Sequence, residues 1–307
     1  MYPLDGSTST DLMKKADTAM YWSKEGGKNQ ANFYTKDQND AHAEESGEVV
    51  QSEGVSQRDL ESHIRTALQK NEIEAYLQPV MNLENNSVSS MEALVRWQHP
   101  EAGLLQPRKF LNIAENTGMI LPIGEFVLTS IAQKAEKWKS LSTEEVKFSM
   151  NLSARQLKDE SLVKRVVNTF DHIKLPAHWF ILEIAENLLL DADDEVIKRI
   201  KLLSQKGFLI YIDNLGEGYS SFKQLEDLKI SGLKVKKEIV QGAMNSNEDK
   251  NVLLSLKALA DKIGAEIIAK GVETEDHIKF VKNLGITKVQ GFAVAKPNKP
   301  EKIESLL

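Results

Sequence analysis

From about residue 70 onward the chain alternates two hydrophobic patterns. Short apolar runs rich in β-branched and aromatic residues give way to stretches whose apolar positions recur at helical spacing. Eight runs stand out: AYLQPVM from Ala75, VSSMEALVRW from Val88, VKFSMNL from Val146, WFILEIAE from Trp179, FLIYIDN from Phe208, GLKV from Gly232, EIIAKGVE from Glu266 and KVQGFAV from Lys288. Mostly alternating with helices, they predict an α/β fold, a TIM-like (β/α)8 barrel rather than an open sheet. The first two runs are separated by NLENNS alone, whereas a parallel crossover needs roughly a dozen residues or more. That pair is expected to be a hairpin, so the barrel carries one antiparallel strand. Ser153 and Gln156 are spaced as a capping box that opens the helix after the third run.

The pattern differs at the amino end. Leu12, Met13, Ala16, Ala19 and Met20 mark a helix that stops at Gly26 and Gly27. A helix of that length buries its stripe only by docking on something else. Residues 35–55 are rich in Asp, Asn, Glu, Ser and Gln and read as a linker. From about Gln57 the chain becomes amphipathic, with Leu60, Ile64 and Leu68 on one face. The expected division is a short amino-terminal piece, 1–34, a linker, 35–56, and a large domain, 57–307.

Composition narrows the function classes. With no cysteine, disulfides, thiolate nucleophiles and Cys-bound zinc are excluded, as fits a reducing compartment. A net charge of -6 gives no footprint for duplex nucleic acid, although a local basic pocket could still hold a small anion. No apolar run approaches the ~20 residues of a membrane span, and the polar first twenty residues lack the apolar core of a signal peptide. The expectation is a cytoplasmic chain, or the cytoplasmic part of a protein anchored upstream.

In a barrel of this kind chemistry collects at the carboxyl ends of the strands. Those ends read Glu92, Asn151, Glu183, Asp213, Lys234, Lys270 with Glu273, and Gln290. One such residue alone is ordinarily a helix cap or a solvated loop residue. Glu92, Asn151, Glu183 and Asp213, from four successive barrel elements, would converge as a cage for a hard cation, Mg2+ or Mn2+. An acidic rim that holds no metal is the alternative.

At these residues the chain resembles the EAL domains, the cyclic di-GMP phosphodiesterase family. Glu92-Ala93-Leu94, followed by Val95, Arg96 and Trp97, is similar to the family's signature. So are YLQP at 76–79, PRKFLNIAENTG at 107–118, MNLSARQL at 150–157, EIAE at 183–186, DNLGEGYSS at 213–221, LKV at 233–235, GVET at 271–274 and QGFAVAKP at 290–297. The similarity runs over roughly 57–307 in the family's order. Residues 16–29, ADTAMYWSKEGGKN, resemble the last helix of GGDEF domains, which often precede EAL domains, without that domain's active site.

The resemblance implies two divalent cations that activate a water to open one phosphodiester of cyclic di-GMP. Carried over residue by residue, Glu92, Asn151, Glu183 and Asp213 match the first-cation ligands. Lys234 matches the family's lysine, which positions the water or stabilises developing charge. The second half departs from the pattern: the paired aspartates read Asp213-Asn214, Lys-Ile-Asp reads Lys234-Val235-Lys236, and Glu-Gly-Val-Glu reads Lys270-Gly271-Val272-Glu273. Each lysine reverses a charge and the amide removes one, and position 270 is also the family's general base. A like charge at ~4 Å and an effective dielectric near 20 costs about 4 kcal/mol. The loop changes Leu215, Glu217 and Ala185 fall where the family links cation assembly to dimer contacts.

Gln78, Leu94, Arg96, Glu273, Gln290 and Pro297 match positions that contact the dinucleotide, with Arg96 offering a fork of donors to a phosphate. The first expectation is thus a catalytically inactive cyclic di-GMP receptor with one Mg2+ or Mn2+, or none, signalling to upstream domains, with a homodimer as one option for its assembly. An active or weak phosphodiesterase yielding pGpG is the second. A protein-interaction scaffold whose pocket is closed by Lys236 and Lys270 on Asp213 and Glu183 is the third.

Overall fold

Ser56 begins the first helix with the reciprocal bonding that its sequence invites. Its hydroxyl accepts from the Asp59 amide at 3.3 Å, while the Asp59 carboxylate accepts from the Ser56 amide at 3.0 Å. Helix α1 (Gln57–Ala67) then buries Leu60, Ile64 and Ala67. This computed structural model describes residues 56–139, 145–216 and 222–306. The helix and linker expected before Ser56, and the loop change at Glu217, lie outside the described residues.

Strands β1 (Ile73–Asn82) and β2 (Ser87–His99) form the expected antiparallel hairpin, with Gln78 opposite Glu92. Its turn is built by side chains. Asn82 accepts from the Glu84 amide at 3.0 Å, Asn85 from the Ser87 amide at 3.2 Å, and Asn86 takes a left-handed φ of 55°. A three-residue strand, β3 (Gly103–Leu105), folds back antiparallel on the end of β2.

Two helices follow, α2 (Pro107–Thr117) and α3 (Ile120–Trp138). Then come β4 (Lys147–Leu152), α4 (Ala154–Lys158), α5 (Leu162–Ile173), β5 (Phe180–Ala185), α6 (Glu186–Leu190) and α7 (Asp194–Gln205). The chain continues with β6 (Leu209–Leu215), α8 (Phe222–Asp227), β7 (Gly232–Val235), α9 (Lys237–Gly242) and α10 (Asn247–Ile263). It ends with β8 (Glu266–Lys270), α11 (Glu275–Asn283), β9 (Lys288–Gln290) and α12 (Pro300–Ile303). The Ser153–Gln156 capping box is present at the start of α4.

The strands run β1-β9-β8-β7-β6-β5-β4-β2, and the β1–β2 pairing closes the ring, with β3 appended to β2. Strand β1 is antiparallel to both neighbours, and β2 and β4 to β9 run parallel. The fold is therefore a closed eight-stranded mixed α/β barrel. Residues Val55–Leu307 form one compact unit. Among the described residues no helix is long and apolar enough to cross a membrane.

Two-residue alternation along each strand decides what fills the barrel. Val80, Ile181, Tyr211 and Ile268 form an apolar plug inside it. Gly232 leaves room for that plug: a Cβ there would lie 2.5 Å from the Tyr211 ring. Two residues beyond Ile181, Tyr211, Gly232 and Ile268, toward the strands' carboxyl ends, stand Glu183, Asp213, Lys234 and Lys270; Gln78 takes the equivalent place beside Val80 on reversed β1. The intervening residues, such as Leu182, Ile212 and Leu233, join the larger core between barrel and helices.

Candidate functional site

Lys234 lies at the centre of the site. Its neighbours Gly232 and Leu233 fix β7 in the middle of the parallel run, so its side chain reaches between strands on either side. The residue is 0% exposed. Its Nζ donates to Glu92 Oε2 at 2.6 Å and to Glu183 Oε1 and Oε2 at 2.9 and 2.8 Å. Glu92 is completed by donors on two further strands. Asn151 Nδ2 reaches its Oε1 at 2.8 Å, and Gln290 Nε2 reaches its Oε2 at 2.7 Å.

Above this trio Lys270, the last residue of β8, leans across β7 to β6. Its Nζ is 2.6 Å from Asp213 Oδ1 and 3.0 Å from Asn214 Oδ1. Asn214 takes a left-handed φ of 55°, a conformation that asparagine accepts more readily than most residues. Lys236 is the N-cap of α9, with its ammonium 3.9 Å from Glu238. The pocket-closing network expected from Lys236 and Lys270 is thus differently made: Lys270 takes Asp213, while Glu183 is taken by Lys234.

The charges explain the titration of the two glutamates. Burial pushes the Glu92 carboxyl up, but the Lys234 and Lys270 charges and the bonds from Lys234 and Gln290 outweigh it, leaving it at about 2. Glu183 is raised to about 7, first by burial and then by repulsion from Glu92, with Lys234 only partly offsetting both. Burial acts to lower the Lys234 ammonium, yet Glu183, Glu92 and Asp213 hold it above its ordinary value. Among the described residues no three His, Asp or Glu side chains are grouped so as to hold a metal ion.

The second group of candidates lines one wall. Gln78 donates from Nε2 to the Ala295 carbonyl at 3.1 Å and accepts from Gln290 Nε2 at 3.3 Å. Gln290 Oε1 is buried with no hydrogen-bond partner, an acceptor left open beside Gln78. Leu94 and Arg96 are half-buried on the inward face of β2. Arg96 lies 5.7 Å over the Tyr76 ring and donates to its neighbour's carbonyl, Val95 O, at 3.2 Å. Among the described residues no carboxylate pairs with it. Pro297 is held beside this wall because Asn298 pairs with Leu77 through both backbone groups, at 2.8 and 3.0 Å.

Glu273 belongs to the mouth rather than the wall. It sits in the turn after β8, where Lys237 Nζ is 2.6 Å from its Oε1. Lys237 is a contact that sequence reasoning missed; the only signal was a third lysine in the run Lys234-Val235-Lys236-Lys237. Ala295 and Asn298 were also missed, since both act through backbone groups that carry no sequence signature.

Comparison with known proteins agrees with this geometry. The family model described as EAL domain matches residues 61–297. The chain is 33% identical over 303 residues to a bifunctional diguanylate cyclase/cyclic di-GMP phosphodiesterase, MucR, of Pseudomonas aeruginosa, covering 99% of this chain and 42% of that protein. It is 31% identical over 295 residues to the cyclic di-GMP phosphodiesterase PdeR of Escherichia coli, covering 96% of this chain and 42% of that one. The chain thus spans less than half the length of these curated relatives. Among solved structures, a PaMucR phosphodiesterase in complex with c-di-GMP superposes with a TM-score of 0.76 at 32% identity, over 80% of this chain and 99% of that one. The EAL enzyme Bd1971 in its cAMP-bound form gives 0.75 at 29% identity, over 81% and 70%. By the strand-end residues, the closed mixed barrel and these matches, the chain belongs to the EAL domain family.

Proposed function

We propose that residues 57–307 are a degenerate EAL domain that binds cyclic di-GMP without hydrolysing it and passes its occupancy to upstream parts of a longer cytoplasmic protein. In this reading residues 1–34 are the tail of a GGDEF domain and 35–56 the linker. The observation that carries it is the Lys270 ammonium seated on Asp213 and Asn214. EAL phosphodiesterases typically use divalent metals, and two-metal hydrolysis requires each cation to have anionic ligands of its own. A second cation, which the resemblance assigns to positions 214, 236 and 270, does not fit an amide and two lysines. Nor can a protonated lysine at 270 accept a proton from water as a general base.

The remaining donors are of the kind a hard cation takes, although among the described residues they are not grouped as a cage. Glu92, Asn151, Glu183 and Asp213 offer three carboxylates and an amide oxygen, provided that Lys234 and Lys270 give up the oxygens they now hold. Ligand retention is supported by the wall: Arg96 keeps a half-buried guanidinium with no carboxylate partner among the described residues, and Gln290 keeps an open buried acceptor. The complex of PaMucR phosphodiesterase with c-di-GMP, on the same fold, supports the choice of ligand.

Titration calorimetry with cyclic di-GMP, together with incubation in Mn2+ and analysis for linear pGpG, tests the proposal. Binding without turnover is expected. Turnover abolished by Glu92→Ala would instead favour the second reading, a single-cation hydrolase, which the convergence of Glu92, Asn151, Glu183 and Lys234 supports. No binding at all would leave the scaffold.

A further inference from the structure

The two ammonium groups at the heart of the site differ in what they have left to give. A lysine carries three N–H donors. Lys234 meets three carboxylate oxygens at 2.6, 2.8 and 2.9 Å and is wholly buried, so nothing remains for a ligand. Lys270 meets two oxygens, at 2.6 and 3.0 Å, one of them a neutral amide, and its side chain is 22% exposed. One donor remains available to an acceptor entering the mouth.

Resting on the receptor reading above, we infer that Lys270 is a resident cation. It makes the charge-assisted bond to a phosphodiester oxygen that a divalent ion would otherwise make, so binding of the dinucleotide needs no metal. Asp213 and Asn214 hold the ammonium in place as a cation's ligands would, and because Asn214 is neutral only one carboxylate offsets its charge. Arg96 on β2, in no ion pair with a carboxylate among the described residues, supplies the second positive contact. A glutamate at 270 would repel the same phosphate unless an ion stood between them.

The test is the affinity of the full chain for cyclic di-GMP in EDTA and in Ca2+, for the unaltered protein and for Lys270→Gln, Lys270→Arg and Lys270→Glu. The unaltered protein is expected to bind equally in both buffers. Losing a hydrogen bond to a charged group should weaken Lys270→Gln by about 10- to 100-fold in each. Lys270→Arg should retain most of the affinity, and Lys270→Glu should bind only with Ca2+. Circular dichroism melts confirm that each variant is folded. The inference is overturned, with the receptor reading intact, if the unaltered protein loses more than about tenfold in EDTA or if folded Lys270→Gln binds like the parent. Absence of binding in every buffer sinks the receptor reading and this inference together.

Discussion

Replacing Lys234 by methionine keeps the length of the side chain and removes its charge. Two carboxylates, Glu92 and Glu183, are then left facing one another in a space where they are 4% and 1% exposed. Removing one partner of a buried ion pair costs about 3–5 kcal/mol, chiefly because the remaining charge is uncompensated. For a domain of this size that is roughly 6–20 °C in melting temperature. The loss must also depend on pH. Once the ammonium is gone, both carboxylates favour their protonated forms, so the penalty is full at pH 8 and shrinks toward pH 5. Urea denaturation of Lys234→Met in EDTA at the two pH values measures it, and adding Glu183→Gln should recover much of the loss at pH 8. A penalty below about 1 kcal/mol, or one that does not change with pH, would refute the account of Lys234 as neutraliser of the buried pair.

Four further outcomes follow from the structure. Glu183, raised from 4.5 to about 7, gives stability that is full below pH 4.5 and lost as pH rises through 7. At about 1.4 kcal/mol per unit this is about 3 kcal/mol, so Glu183→Gln should gain that much on the parent between pH 4.5 and 8; a constant difference in denaturation midpoint would contradict it. Glu92, depressed to about 2, behaves oppositely: its contribution is present above pH 4.5 and lost as pH falls through 2. Gly291→Ala would set a Cβ 2.1 Å from the Val272 carbonyl oxygen, a backbone atom that cannot step aside. About 1–3 kcal/mol of strain is expected, and an unchanged melting temperature would show that β9 yields. Finally, His99 accepts the Glu101 and Ala102 amides on Nδ1 at 3.2 and 3.1 Å, and its Nε2 faces His63 Nδ1 at 2.9 Å. Burial and then His63 hold its pKa below the ordinary value, against Glu101, Glu72 and Asp59, so its stabilising effect is lost as pH falls. Hydrogen exchange of α1, corrected for intrinsic rates, should quicken from pH 7.5 to 5.5; pH-independent protection would argue otherwise.

The barrel was legible because its strands end in polar residues and because a six-residue gap cannot hold a crossover. Strand β3 was not, since three residues of Gly-Leu-Leu carry no periodicity, and β9 stops at Gln290 although the apolar run continues to Val294. The cast of the site was readable too: Asn214, Lys236 and Lys270 announced an altered charge balance. Which ammonium meets which carboxylate was not readable. A lysine's four-carbon stem reaches several neighbours, and only barrel curvature decides that Lys270 crosses β7 to Asp213 while Lys236 turns to Glu238. The seating of Pro297 was hidden for a different reason, because it depends on backbone pairing between Asn298 and Leu77.

The seam where β1 meets β9 sets the order in which the pocket comes into being. The strands pair there at Met81–Val289 and Asn82–Lys288, and the glutamines that bridge the seam are 212 residues apart in sequence. The hairpin carrying Gln78 and Glu92 is synthesised before Gln290, the donor that completes Glu92 from 198 residues further along the chain. Contacts this distant are slow to form, and the pairing that closes the ring at β1 and β9 also brings the two glutamines together. A small molecule that touches both glutamines therefore recognises only the closed barrel, and by mass action protects it from reopening.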